Sequence, residues 1–396
     1  MEKKNVLIAF GGASPEHEVS VITAHQAIAA LEEREEYRLI PLYIAKSGKW
    51  FTGEPLMELS NFEDLKKIEA AATPCTFSQN EYGLTVLLEK KESWLPGKPK
   101  ETPLHVALAA FHGSSGENGA FQGVCEMFRL PCTGSGVMGS AIGMDKVTSK
   151  TICRAHAIPV VDGVDFFEKE WVNSRAEWIE KIETLGYPVI VKPVHLGSSI
   201  GVQIAESREK LIHGVEVAFK YDHHLLIEEL VKPLIEINCS VLGSSEEVMT
   251  SVCERPIGAQ ELLTFQDKYL SDEGGKGMAS AERVIPADIP ESLSESIRDC
   301  SATIFKLLNC SGLARLDFLV RPGTETFYFN EINTIPGSFS FYLWKESGLG
   351  FRELLIKLID LALEEAQQKN RRIQSYETNL LSTKAVKGIK GLKGTK

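Results

Sequence analysis

Two neighbouring stretches carry side chains that could do chemistry together. They are Gly312-Leu-Ala-Arg315-Leu-Asp317-Phe-Leu-Val320 and, after a turn at Arg321-Pro322-Gly323-Thr324, Phe327-Tyr-Phe-Asn330-Glu331-Ile-Asn333-Thr334. Alternate residues of a strand share a face, so Arg315 pairs with Asp317 on the first and Glu331 with Asn333 on the second. A turn that sets Asp317 opposite Glu331 also sets Arg315 opposite Asn333, and four polar groups then share one patch. Two carboxylates and an amide oxygen are hard donors, suited to Mg²⁺ bridged to nucleotide phosphates. The plain alternative is a solvent-facing strand pair with its charges outward. The apolar residues on the opposite faces, and phosphate-binding residue types upstream, weigh against it.

Those upstream residues are Lys146, at the start of a helical pattern, and Lys192, which closes the strand-like run Tyr187-Pro-Val-Ile-Val191. Either lysine alone would read as a surface residue with a snorkelling stem. Between the run and the next strand, Gly197-Ser198-Ser199-Ile200-Gly201 offers backbone N–H and hydroxyl donors fit to cover phosphates. It is not a P-loop, since no Gly-Lys-Ser/Thr occurs. The same five residues fit a nucleophile elbow, but that motif needs a helix to follow, and Gly201-Val-Gln-Ile-Ala alternates like a strand. Gly134-Ser-Gly136-Val-Met-Gly139, with Asp162 beyond it, fits a dinucleotide fingerprint. The segment before it, Phe128-Arg-Leu-Pro131-Cys-Thr, is too short and proline-broken to be the strand that fingerprint requires.

The positioning elements are those of an α/β protein. A first strand, Val6 to Phe10, turns at Gly11-Gly12-Ala13-Ser14-Pro15 into a helical pattern from Glu16 to Leu31. Strands are expected at Arg38 to Ile44 and His105 to Phe111, forming a parallel sheet in an N-terminal domain over 1–143. A small antiparallel lid follows over 144–224. A third unit over 225–370 holds strands at Leu225–Glu229, Ile237–Leu242, Leu313–Val320 and Phe327–Asn333 and a helix from Phe351 to Ala366. Residues 371–396 end in lysines at every third position among glycines, the pattern of a basic disordered tail.

The 396 residues suffice for roughly two to three domains. With 43 Lys+Arg against 54 Asp+Glu, a net charge of −11, no nucleic-acid partner is expected. Eight cysteines without a Cys-x-x-Cys pair argue for reduced thiols rather than a disulfide framework or zinc ribbon. No apolar run approaches the roughly 18 residues of a membrane span, and the N-terminal run is too short for a signal peptide, so no membrane and a cytoplasmic location are expected.

Taken together, these motifs resemble the D-alanine–D-alanine ligases of the ATP-grasp superfamily, over nearly the whole chain to about residue 366. The resemblance is carried by Gly11-Gly12-Ala-Ser-Pro15-Glu16-His17-Glu18-Val-Ser20, His112-Gly113-Ser-Ser-Gly116-Glu117-Asn118-Gly119, Met144-Asp145-Lys146, Val191-Lys192-Pro193 with Gly197-Ser198-Ser199, Asp267-Lys268-Tyr269-Leu-Ser-Asp272, and the two C-terminal stretches through Pro336-Gly337. It implies an ATP-grasp fold in which two domains enclose the nucleotide. It implies phosphorylation of one D-alanine and attack by a second, giving D-alanyl-D-alanine for peptidoglycan. Matching positions make Lys146, Lys192, Glu228, Glu236 and Lys268 the ATP-binding residues. Asp317, Glu331 and Asn333 would hold Mg²⁺ or Mn²⁺, as two ions. Glu16 and Ser198 would engage the first substrate, with His112 touching it, while Arg315 and the Gly337 N–H stabilise an oxyanion and Tyr269 closes over the site. Homodimers are common among such ligases.

Three positions depart from the family pattern. Tyr342 stands where a serine usually helps grip the second substrate, Leu196 where the best-known members carry an acid, and Asn118 where aspartate is usual. Phe339, Phe341, Tyr342 and Trp344 are expected to form an aromatic wall suited to a bulkier acceptor. The alternative activity is therefore the same ligase mechanism with another amino or hydroxy acid as acceptor.

Overall fold

Val6, Leu7, Ile8, Ala9 and Phe10 are all fully buried, as befits a strand covered on both faces. They form the centre of β1 (Lys4–Gly11) in a computed structural model that describes residues 3–90, 99–257 and 283–373. β1 pairs in parallel with β2 (Tyr37–Ile44) and β7 (Val106–Ala109). Beyond β2 the sheet continues antiparallel through β3 (Trp50–Thr52), β4 (Thr73–Gln79), β5 (Thr85–Glu89) and β6 (Glu101–Pro103), giving the order β6-β5-β4-β3-β2-β1-β7. The expected parallel sheet is thus parallel only around β1. The turns from β2 to β3 and from β4 to β5 are too short for the crossover that parallel neighbours need.

A second, antiparallel sheet has the order β10-β9-β11-β8, from β8 (Gly163–Phe167), β9 (Val189–Pro193), β10 (Gln203–Ala205) and β11 (His224–Glu229). β11 pairs with both β8 and β9, so the expected boundary at 224/225 cuts through this sheet. Leu225, Leu226 and Ile227 are buried, and an apolar run of this kind needs a neighbour on each side; the passage to the next sheet lies after Glu229.

The third sheet has the order β14-β13-β12-β15-β16, from β12 (Ile235–Gly243), β13 (Val248–Pro256), β14 (Arg283–Val284), β15 (Gly312–Val320) and β16 (Phe327–Asn333). One face buries Ile237, Cys239, Val241, Leu316, Phe318, Phe329 and Ile332 with Ile297, Ile304 and Phe305 of the helix Glu291–Leu307. Strict alternation would put Phe329 and Glu331 on the same face. A bulge at Asn330 prevents it: Phe318 pairs with Phe329 and Asp317 with Glu331, so Phe329 enters the core and Glu331 turns to the other side.

The C-terminal helix Phe351–Asn370 lays Leu354, Leu355, Leu358 and Ile359 into the same core as Val6 and Ile8 of β1 and Val21, Ala24 and Ile28 of the helix His17–Leu31. That shared core brings the first and third sheets together around the site. Among the described residues, no helix is long and apolar enough to cross a membrane.

Candidate active site

The paired strands β15 and β16 have the register that the alternation argument requires, with Asp317 opposite Glu331 and Arg315 opposite Asn333. The row runs further than the hairpin. Asn238 of β12 faces Asp317 on one side and Glu254 of β13 on the other, so Glu254, Asn238, Asp317 and Glu331 cross four strands in line. Arg315 grips Asp317 with two bonds, Nε to Oδ1 at 2.7 Å and Nη2 to Oδ2 at 2.9 Å, and Asn333 Nδ2 donates to Oδ2 at 3.1 Å. The guanidinium is buried, yet the adjacent Asp317 carboxylate holds its pKa well above the ordinary arginine value.

Two lysines reach this row from the second sheet and its preceding helix. Asp145 caps the helix Lys146–Ala155 by accepting from Thr148 N at 2.8 Å, which fixes Lys146 at its first position. Lys146 Nζ donates to Leu196 O at 2.6 Å and lies 3.2 Å from Glu331 Oε2. Lys192, at the end of β9, donates to Asn330 Oδ1 at 2.9 Å and to Glu228 Oε2 at 2.7 Å. The other Glu228 oxygen accepts from Lys150. Burial alone would raise the Glu228 pKa, but the two ammonium groups outweigh it and bring the carboxyl down to about 2. Burial brings Lys150 down to about 8.

The N-terminal residues close the site from the opposite side. Gly11 and Gly12 have φ of +92° and +94°, and a Cβ on Gly11 would stand 2.3 Å from Ile44 O, so only glycine permits the turn that delivers Glu16. Glu16 accepts a hydrogen bond from Ser198 Oγ, joining the first motif to the serine loop. Ser198 and Ser199 are left-handed, and β10 follows rather than a helix, so the loop is a cover and not a nucleophile elbow. A Cβ on Gly113 would lie 2.7 Å from Glu16 Oε2, so the His112 loop joins the same corner only as glycine. Glu117 accepts from Gly113 N at 2.9 Å and Ile335 N at 3.3 Å; burial and then the Glu16 charge push its carboxyl up to about 7.

His112 sits behind this corner. Its Nε2 lies 2.8 Å from Thr23 Oγ1, which accepts from Ser338 N at 3.3 Å, and burial lowers its pKa to about 4. The ring is therefore a neutral strut for the turn after Pro336-Gly337, and its near nitrogen is engaged by Thr23. That turn places Ser338, Phe339 and Ser340 at φ of +50°, +53° and +47°. A left-handed non-glycine residue costs on the order of 1 kcal/mol or more. Burial of Phe339 and its N–H bond to Pro336 O at 2.8 Å hold the conformation.

The aromatic wall expected after Gly337 does not form. Phe339 and Trp344 are buried in the core shared with β1, Trp344 Nε1 donates to Ser240 Oγ at 3.0 Å, and Phe341 packs on Phe351. The left-handed turn directs these rings inward. Only Tyr342 joins the polar face: its hydroxyl donates to Glu254 Oε1 at 3.2 Å, and the Arg283 guanidinium lies 3.9 Å over its ring while donating to Glu254 Oε2 at 3.1 Å. Asn118 accepts from Ala120 N at 3.1 Å, an ordinary turn bond, and Leu196 contributes its carbonyl to Lys146.

Of the residues singled out in the sequence, Glu16 is bonded to Ser198, Lys146 is paired with Glu331, Lys192 with Glu228, and Arg315 and Asn333 both bond Asp317, which stands opposite Glu331. Glu236 lies on the same face of β12 as Asn238, opposite Leu319. Lys268 and Tyr269 lie outside the described residues. Sequence reading passed over Lys150, Asn238, Glu254 and Arg283. Lys150 had one signal, its place one helical turn beyond Lys146; Asn238 and Glu254 had only their spacing within strands.

Comparison with known families decides what this arrangement belongs to. The model for the N-terminus of D-Ala-D-Ala ligase matches residues 5–135, and that for the C-terminus of the same enzyme matches 152–360. The chain belongs to the D-alanine–D-alanine ligase family. A D-alanine–D-alanine ligase of Thermosipho melanesiensis is 38% identical over 97% of this chain and 99% of its own length. One of Natranaerobius thermophilus is 39% identical over 94% and 98%. Among solved structures, the Coxiella burnetii D-alanine-D-alanine ligase superposes with a TM-score of 0.77 at 28% identity, covering 94% of this chain and 97% of that one. A D-Ala:D-Ser ligase from Enterococcus faecalis superposes at 0.73 with 29% identity, covering 91% and 100%. The mixed α/β architecture is that of the ATP-grasp ligases, which use ATP.

Proposed function

We propose that this chain joins two D-alanine molecules into D-alanyl-D-alanine through an acyl phosphate, the dipeptide serving peptidoglycan synthesis. The observation that carries the reading is the row Glu254–Asn238–Asp317–Glu331 with Arg315, Lys146 and Lys192 converging on it. Phosphoryl transfer needs chiefly positioning and charge neutralisation, and two lysines beside an acidic patch provide both.

In the first step a carboxylate oxygen of one D-alanine bonds to the γ-phosphorus of ATP, and the bond to the ADP oxygen breaks. Glu16, steadied by Ser198, holds that substrate's ammonium. In the second step the free amine of another D-alanine attacks the acyl carbon. Arg315 and the Gly337 N–H stabilise the tetrahedral oxyanion, which collapses by breaking the bond from carbon to the phosphate oxygen, and one of the two protons of the attacking amine passes from the new amide nitrogen to the departing phosphate. Lys146 and Lys192 bind ATP phosphates, with Glu228 holding Lys192 and Lys150 in place; Glu236 and Lys268 complete the nucleotide contacts. Closure over the site by Tyr269 excludes water from the acyl phosphate.

The metal-binding reading rests on donor chemistry. Asp317 and Glu331 face each other, Asn333 lies alongside, and Oδ1 of Asn238 in the same row is buried with no hydrogen-bond partner among the described residues. Oxygen donors alone suit Mg²⁺ or Mn²⁺. Such ions would neutralise phosphate charge and polarise the transferring group. Asp317 would then divide its lone pairs between the ion and Arg315.

A second acceptor is favoured by one observation, the Tyr342 hydroxyl placed on Glu254 beside Arg315. The test is to incubate the purified chain with Mg-ATP and D-alanine alone, then with D-serine, D-lactate or L-alanine added, and to weigh the products. D-alanyl-D-alanine as the main product supports the proposal; product only with another acceptor, or phosphate release independent of D-alanine, overturns it.

A further inference from the structure

His195, Asp222 and His223 stand apart from the row just described, at the root of the serine loop. His195 follows the end of β9 and precedes that loop, whereas Asp222 and His223 belong to the connection into β11. Asp222 is the common partner. Its Oδ2 lies 2.9 Å from His195 Nδ1 and its Oδ1 lies 3.2 Å from His223 Nδ1. One ligand atom from each of the three residues lies within 4.8 Å of the other two.

The backbone holds this cluster in place. His195 N donates to Asp222 Oδ2 at 2.7 Å, His224 N donates to Oδ1 at 3.2 Å, and Val194 N donates to His224 O at 3.1 Å. The outer nitrogen of His195, Nε2, is 3.5 Å from Asp145 Oδ2. A carboxylate behind an imidazole is the arrangement that orients metal-bound histidines. The rings of His195 and His223 are nearly parallel, at 9° and 5.8 Å between centroids, so both can turn one nitrogen toward Asp222. His224 is not part of the group, because its Nε2 is committed to Asp165 at 2.9 Å and its ring stacks on Phe167 at 4.0 Å. His223 is 70% exposed and His195 borders an open cavity of about 490 Å³, so an ion has an entry path.

We propose that His195, Asp222 and His223 form a site for a divalent transition metal such as Zn²⁺ or Co²⁺, distinct from the oxygen-only row. Two imidazoles and one carboxylate with an open fourth position suit those ions and not Mg²⁺. Tetrahedral ligand atoms around Zn²⁺ are separated by roughly 3.4 Å, so the contacts to Asp222 need open only by a few tenths of an ångström. An ion there cross-links the root of the serine loop to the β11 connection, next to Leu196, whose carbonyl holds Lys146.

The test uses the full chain with reduced cysteines in excess Mg²⁺, titrated with Zn²⁺ by calorimetry and with Co²⁺ by visible absorption. The proposal expects one equivalent that disappears, or weakens by on the order of tenfold or more, in His223→Ala. It also expects visible bands without the intense near-ultraviolet absorption of cobalt–thiolate bonds. His223 is exposed and outside the catalytic machinery, so turnover in Mg²⁺ buffer free of transition metals and the melting temperature there should match the unsubstituted chain and show that the variant folds. Unchanged binding by His223→Ala, a thiolate spectrum, or no bound equivalent overturns the proposal.

Discussion

Two pairs of acidic residues face the site from opposite sides, and they are built differently. In the row on the third sheet each carboxylate has a cation beside it, Arg315 on Asp317 and Lys146 near Glu331. In the N-terminal corner Glu117 accepts backbone N–H bonds while Glu16 stands close enough to help push its carboxyl up to about 7. The first arrangement is balanced before any ligand arrives and can accept phosphate together with metal. The second sets two carboxylates near enough for the charge of one to raise the pKa of the other, an arrangement suited to a substrate ammonium. Under the proposed function, carboxylates of the same type would serve opposite ends of one reaction, set apart by their neighbours.

The sharpest way to break this contrast is Arg315→Ala. It should lower the rate of dipeptide formation by about 10²- to 10³-fold, the cost of losing one oxyanion donor. ATP binding, followed by calorimetry, should persist, and near-normal turnover would remove Arg315 from the oxyanion. Next in size, Lys150→Met leaves the buried Glu228 with one ammonium instead of two. Urea unfolding should show a loss on the order of 3 kcal/mol, the scale for breaking a buried ion pair, and an unchanged midpoint would make Lys150 a bystander.

For the corner, the sign of the pH effect is set by Glu117. Its pKa is raised from 4.5 to about 7 on folding, so the folded chain binds the proton more tightly across that window. The contribution of this group to stability therefore falls as pH rises from about 4.5 to 7. Glu117→Gln should abolish that component, so that its urea midpoint gains on the unsubstituted chain between pH 5 and pH 8. A constant difference across that range would show that Glu117 does not titrate there. The smallest effect is expected from Tyr342→Ser, which should shift the ratio of D-serine to D-alanine incorporated while leaving the KM for ATP within about twofold; a change confined to ATP would detach Tyr342 from acceptor choice.

The hairpin pairing was legible because a turn and a two-residue period fix which side chains meet. Alternation could not reveal the bulge at Asn330, which lets Phe329 and Glu331 face opposite ways. Nor could it show that Ser338, Phe339 and Ser340 would be left-handed, since none is glycine; that turn sends Phe339 and Trp344 into the core, against expectation. Strands β3 to β6 are short and carry polar residues such as Thr73 and Glu101, so they gave little periodicity. Asn238 and Glu254 were hidden for a different reason. A single polar residue on a strand gains meaning only when register places it in line with others, and that alignment is a property of the sheet.

The central claim is that phosphate leaves with an oxygen that began on D-alanine. Incubating the chain with Mg-ATP and D-alanine labelled with ¹⁸O in its carboxylate, then weighing the released phosphate, tests it directly. An acyl phosphate predicts one ¹⁸O atom in each phosphate that accompanies a dipeptide. Unlabelled phosphate formed alongside dipeptide would contradict the mechanism.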